Sequence, residues 1–207
     1  MAERGLLSGI YLFMEWIARF VYLQFLWAVF SVAGLIGFGF FPATFTMFAI
    51  TRKWIRGDTD LSLFKTFKEM FRRDFLKTNA IGWMTAAAGF ILYFYLRQFQ
   101  SLTGTLSIVL FFLALILCLI FIMTLFFLAP VYAQYELSVL QSVKIAAMMA
   151  LSHPLHVISM GFTIYCFILF MQKIPGLLPF FSFSYLVFAL MWIANLAFMR
   201  KEKALGL

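Results

Sequence analysis

At 207 residues the chain has the length of one domain or a pair, but 65% of it is hydrophobic, only 12% is charged, and its mean hydropathy is +1.00; soluble domains carry about 25% charged residues. That much apolar surface, including 29 phenylalanines, excludes a water-soluble globule and points to an all-α polytopic membrane protein, a single helical transmembrane domain over 1–207. The net charge of +8 does not point to nucleic acid, because the sixteen Lys and Arg fall in tight groups between long charge-free runs, the pattern of membrane topology.

The first twenty residues, "MAERGLLSGIYLFMEWIARF", keep Glu15 and Arg19 within an apolar stretch and show no small-residue cleavage site, so the first helix is expected to stay in the mature protein. Glu15 and Arg19, one turn apart, are expected to neutralise each other while snorkelling. Phe20–Thr51 is too long for one crossing and is interrupted by Gly34, Gly37, Gly39 and Pro42, which predicts two helices joined by a tight turn. Pro42, with no donor and a preset φ, opens the second of these. Arg52, Lys53 and Arg56 close it at the cytoplasmic face, beside Trp54 in the interfacial belt. Pro42 and these three cations are the expected topology determinants. This span is short, leaving open local thinning or a tilted, partly re-entrant path.

Next comes "DLSLFKTFKEMFRRDFLK", with Phe64, Phe67, Phe71 and Phe75 at spacings of three and four, hence on one helical face. Asp60 or Ser62 can cap it, Glu69 and Arg73 form an i,i+4 pair, and the helix is expected to rest in the headgroup region. Lys65, Lys68, Arg72 and Arg73 on the other side are candidates for docking a cytoplasmic partner or contacting anionic lipid. The plainer reading is a topological anchor.

Further spans are predicted over Thr78–Leu96, within Gln98–Tyr135, and over Ile145–Gln172 and Ile174–Met199, six in all. Before the fifth, "SVLQSVKIAAMMALSHP" places Leu140, Val143, Ala147 and Leu151 on one face as a second cytoplasmic interfacial helix. Aligning Lys68 with Lys144 hints at a twice-repeated unit of span, interfacial helix and span. With the N-terminus inside, fourteen basic residues fall on the cytoplasmic side and two, Arg97 and Lys173, outside, which places both termini in the cytoplasm.

Chemistry is scarce. No span carries an ionisable residue at its middle, and no G-x-S-x-G, phosphate-binding glycine loop or H-E-x-x-H pattern occurs. His153 and His156 flank Pro154 without a nearby carboxylate or thiolate, and Cys118 and Cys166 lie in apolar runs as small hydrophobes. Gln24, Thr46, Thr85, Thr124, Gln134 and Asn195 are available for interhelical hydrogen bonds. No enzyme activity, cofactor or metal is expected.

Gly39, Phe41, Pro42, Ala43 and Thr44, followed by Arg52, Lys53, Trp54 and Gly57, resemble the signature of the YesL-type family, bacterial membrane proteins of unknown function. The resemblance continues through "FKTFKEMFRRDFLKTNAIG" and, by hydropathy, to the end of the chain. It implies a multi-pass protein of the bacterial inner membrane. It also implies, from the family's association with binding-protein-dependent sugar importers, an accessory role in carbohydrate uptake with importer subunits or another cytoplasmic protein as partners. The alternatives are a transporter in its own right or a membrane scaffold. "YELSVLQSVKIAAMMALSHP" lacks the glycine and terminal motif that importer permeases present to their ATPase.

Overall fold

The computed structural model describes residues 2–101, 104–135, 137–174, 176 and 178–205, with the backbone alone for 2–8, 178–181 and 200–205. Leu102, Thr103, Pro175 and Leu177 of the two expected outer loops lie outside the described residues, as do the side chains of Arg4, Arg200, Lys201 and Lys203. The described residues form helices and no strand: α1 (Ala2–Ala33), α2 (Phe40–Ile55), α3 (Leu63–Ser101), α4 (Thr105–Gln134), α5 (Val139–Ser152), α6 (Pro154–Lys173) and α7 (Leu178–Leu205). Stretches of α1, α3, α4, α6 and α7 are long and apolar enough to cross a bilayer, and the chain is a polytopic helical membrane protein.

The sixth expected span, α2, is the exception. Its 16 residues rise about 24 Å against a hydrocarbon core of about 30 Å. It sits at the centre of the fold, packed on by α1, α3, α4 and α7, with Ala43, Met47, Ile50 and Thr51 fully buried. Hydrophobic mismatch is a cost of lipid contact, and a helix enclosed by its neighbours has little of it.

Two expectations about local structure are corrected. First, the amphipathic segment is not a separate interfacial helix: α3 runs unbroken through 39 residues, about 58 Å, because no proline or glycine pair interrupts it at 76–82. Its aromatic face turns into the protein rather than the headgroups. Phe67 and Phe71 are buried, their rings 5.0 and 5.1 Å from that of Phe30 on α1, while Phe64 is half exposed. Ring-on-ring packing gives these side chains directional contacts that fluid acyl chains do not. Glu69 makes no ion pair with Arg73; the guanidinium bonds instead to both carboxylate oxygens of Asp74, at 2.9 and 3.1 Å.

Second, α5 buries a different face from the one expected. Ser142, Ala146, Met149 and Ala150 are buried, whereas Leu140 and Leu151 are exposed. Ser142, Ala146 and Ala150 repeat every fourth residue, and small residues at that spacing let backbones approach; α4 with α5 is the most extensive helix pair. The helix starts on a capping box between Ser138 and Gln141 and ends at His153 before Pro154. Its break from α6, set against the continuity of α3, removes the close parallel between the two supposed repeats.

The α1–α2 turn does not reach the level of the α3–α4 connection. Asn79 Nδ2 donates to Phe38 O at 2.9 Å, Trp83 lies 5.9 Å from the rings of Phe38 and Phe41, and Phe41 lies over Gly82. Ser101 is a further 18 residues along α3, about 27 Å at 1.5 Å per residue. Within the turn the glycines serve close approach: a Cβ on Gly39 would collide with Ser31 O, and one on Gly34 with Gly39 Cα. The left-handed backbone falls instead on Leu35 (φ 60°) and Ile36 (φ 53°), a conformation rare for a β-branched residue.

Of the polar residues expected between helices, two make that link. Gln24 Oε1 accepts the Ser184 N–H at 3.0 Å, and Gln134 Oε1 accepts from Arg52 Nε at 2.7 Å. Thr85 and Thr124 donate back to their own helices, to Ile81 O and Ile120 O.

Candidate functional site

Where α2 and α4 end beside the first half of α3, their side chains enclose a cavity of about 240 Å³. Thr46, Ala49, Arg52 and Lys53 come from α2, Met70, Arg73 and Asp74 from α3, and Tyr132 and Gln134 from α4. A smaller cavity of about 170 Å³ adjoins it, sharing Arg73, Asp74 and Tyr132 and adding Lys77 and Leu137. Met70, Arg73, Asp74 and Lys77 stand at i, i+3, i+4 and i+7, the spacing of one helical face. That periodicity is visible in the sequence, and the more conspicuous phenylalanine stripe beside it masks it.

Among the described lining residues, Arg52, Lys53, Arg73 and Lys77 carry positive charge and Asp74 a negative one. Arg52 is committed to structure, its Nε bonded to Gln134 and its Nη1 donating to Ala133 O at 2.9 Å, where a cation also offsets the negative end of the α4 dipole. Asp74 moderates Arg73. Lys53 and Lys77 make no ion pair among the described residues. Glu136, between the lining residues Tyr135 and Leu137, lies outside the described residues.

Thr51, Thr78 and Ser142 donate to carbonyls of their own helices, and Thr44 accepts from Trp27 Nε1 at 3.1 Å. Thr46 is 4% exposed and lines the cavity; the buried side-chain polar atoms left without a partner among the described residues lie elsewhere, at Ser31 Oγ, Trp54 Nε1 and Asn79 Oδ1.

The residues singled out in the sequence therefore divide. Lys65, Lys68 and Arg72 are exposed along the outward side of α3, while Arg73 belongs to the cavity. Arg52 and Lys53 line that cavity, Arg56 is exposed beyond it, and Pro42 is buried in the first turn of α2. Glu15 and Arg19 form an ion pair at 2.6 Å, with Arg19 also lying over the Trp16 ring at 5.4 Å. His153 and His156 sit at the α5–α6 junction with ring centroids 5.4 Å apart, and no cluster of three or more potential metal ligands occurs among the described residues.

Residues 20–96 match the family model described as "Protein of unknown function, DUF624". The chain is 31% identical over 204 residues to the uncharacterized protein YteU of Bacillus subtilis (strain 168), covering 98% of this chain and 91% of that one. It is 30% identical over 199 residues to the uncharacterized YesV of the same organism, covering 94% of each. To the uncharacterized YesL it is 29% identical over 147 residues, 71% of this chain and 69% of that one. No solved structure matches.

Proposed function

This chain belongs to the YesL-type, DUF624 family of unknown function, and from that premise we propose a non-enzymatic accessory protein of the bacterial inner membrane that docks a cytoplasmic partner through the outward side of α3. The observation that carries this reading is the burial of Phe67 and Phe71. A helix that merely anchors itself in the headgroups must lay its apolar face there, and here Phe67 and Phe71 of that face pack on Phe30 of α1 instead, with Phe64 alone of the three half exposed. What is left outward is Lys65, Lys68 and Arg72 on the rigid extension of a membrane helix, a basic platform suited to an acidic protein surface. The positive-inside count puts the platform in the cytoplasm. The carbohydrate-uptake setting, with an importer ATPase as partner, comes from the family resemblance.

The test is a triple substitution, K65Q/K68Q/R72Q, in cells expressing the importer. Co-purification of its ATPase should be lost while yield stays normal and a cysteine at Asp58, in a background without Cys118 and Cys166, stays protected from outside labelling. Retention of the ATPase by the variant overturns the docking reading. Substrate-dependent oligosaccharide flux by the purified protein alone overturns the accessory role.

A further inference from the structure

We propose that α1 and α2 form a re-entrant hairpin: it enters the bilayer from the cytoplasmic side, inserts the apolar tip of its turn, Leu35, Ile36 and Phe38, among the acyl chains of the cytoplasmic leaflet, and returns without crossing. The depth of the turn along α3 carries this inference, which does not depend on the docking platform.

The charge layout of α3 sets the depth. Its charge-free run lies between Lys77 and Arg97, about 30 Å apart along the helix, which is the thickness of the hydrocarbon core. The α1–α2 turn meets α3 at the cytoplasmic end of that run. Asn79 Nδ2 donates to Phe38 O, Trp83 packs on the rings of Phe38 and Phe41, and a Cβ on Gly82 would strike the Phe41 ring. Asn79 and Trp83 stand only about 3 and 9 Å beyond Lys77, whereas Arg97 lies about 21 Å further on from Trp83. Trp83 is half exposed, as suits an indole at the headgroup boundary. From that depth α2 runs back to Arg52, Lys53 and Arg56, so its 16 residues need not match the thickness of the core.

The composition of the turn suits acyl chains rather than water. From Ala33 to Ala43 no side chain is polar, and Leu35, Ile36 and Phe38 are 81%, 66% and 53% exposed. Turns in water favour Asn, Asp, Ser and Gly, and the α2–α3 connection, with Arg56, Asp58, Thr59, Asp60 and Ser62, follows that rule. Backbone in hydrocarbon has to satisfy its polar groups within the protein. Here the N–H groups of Gly34, Leu35, Ile36, Gly37 and Phe40 donate to the carbonyls of Phe30, Val32, Ser31, Leu35 and Ile36, and Asn79 brings a donor to Phe38 O from the neighbouring helix. Apolar segments that lie on a membrane bury their apolar side about 5–10 Å into the headgroup–acyl boundary, which agrees with the position of Asn79 and Trp83 along α3.

The test uses the full chain without Cys118 and Cys166, carrying single cysteines at Leu35 or Ile36, where exposure lets a label sit without repacking, and at Ser101 or Asp58 as references for the two faces. In intact cells an impermeant maleimide should label Ser101→Cys and leave Leu35→Cys and Ile36→Cys as unlabelled as Asp58→Cys. In sealed vesicles a nitroxide on Ile36→Cys should collide freely with oxygen, as a lipid-facing site does, and its collisions with a nickel chelate should rise only when the chelate is on the cytoplasmic side. Labelling of Leu35→Cys or Ile36→Cys from outside, or a rise with the chelate on the outer side, shows a full crossing and overturns the proposal. Water-like collision with the cytoplasmic chelate and little with oxygen places the turn outside the bilayer, and no rise from either side places it at mid-bilayer or under protein; each of these outcomes overturns it too. All of these readouts are independent of whether K65Q/K68Q/R72Q retains the ATPase, so the docking reading stands or falls separately.

Discussion

α2 and α4 converge on the same cleft, yet they reverse the order that soluble proteins teach. α2 is the shorter and more polar helix, with Thr44, Thr46, Thr51, Arg52 and Lys53 in 16 residues, and it is the one that protein encloses. α4 has no charge from Thr105 to Gln134 and exposes Ile108, Phe112, Ile116, Leu119 and Ile122. In water the burial would be the other way round. Lipid removes the hydrophobic difference between inside and outside, so helix association rests on close fit and hydrogen bonds, and the most apolar helix is the one that can afford to face the acyl chains.

The sharpest way to break this comparison is at the α1–α2 turn, where fit is backbone against backbone. Gly39→Val places a side chain against Ser31 O and the Gly34 backbone, neither of which can swing aside as a flexible side chain could. The expected cost is about 3 kcal/mol or more, seen as loss of monodisperse protein on size exclusion. Folded Gly39→Val with an unchanged thermal midpoint would mean that the turn is looser than its contacts imply.

A smaller effect separates the two helices directly. Met47→Ala, at a fully buried site on α2, should cost about 2–5 kcal/mol through the cavity it leaves. Leu117→Ala, 47% exposed on α4, should cost under about 1 kcal/mol, the lipid closing over the missing atoms. Thermal midpoints measured side by side check this, and equal losses would mean that the exposed face of α4 is covered by protein rather than lipid.

The same contrast explains what the sequence could and could not tell. Span positions were legible because length and charge-free composition are one-dimensional properties: Phe20–Thr51 breaks where the glycines and Pro42 stand, and the basic groups end the helices. Facing was not. On α5 the large residues Leu140 and Leu151 suggest a buried stripe by soluble rules, but the fold buries Ser142, Ala146 and Ala150. On α3, the phenylalanine face was correctly grouped, but its destination depends on Phe30, more than thirty residues earlier in the chain. The cleft was missed as a unit because its walls, Thr46, Lys53, Arg73, Lys77 and Tyr132, come from three helices; only the Met70, Arg73, Asp74, Lys77 spacing was local enough to read. By sequence Thr46 belongs with Thr44 and Thr51 as one more hydroxyl of α2, and nothing in its neighbourhood assigns it to a cleft.

The smallest expected effect lies at the rim of the enclosed region, in the Glu15–Arg19 pair of α1. The contact is short, 2.6 Å, but the side chains are 38% and 20% exposed, so solvent and salt screen the attraction and an i,i+4 pair of this kind contributes about 0.3–0.5 kcal/mol. Arg19 has a second contact: its guanidinium lies over Trp16, whose ring packs edge-on to Trp54 of α2 at 5.7 Å. A cation over an indole adds about 0.5–1 kcal/mol, and here it also holds a ring belonging to the α1–α2 interface. Glu15→Gln therefore removes only the ion pair, while Arg19→Gln removes both contacts. Arg19→Gln should lower the thermal midpoint more than Glu15→Gln, and raising salt should narrow the gap between wild type and Glu15→Gln without erasing the Arg19→Gln loss. If the two variants lose the same amount and salt abolishes both losses, the stacking on Trp16 contributes nothing, and the enclosed region ends one helical turn short of Arg19.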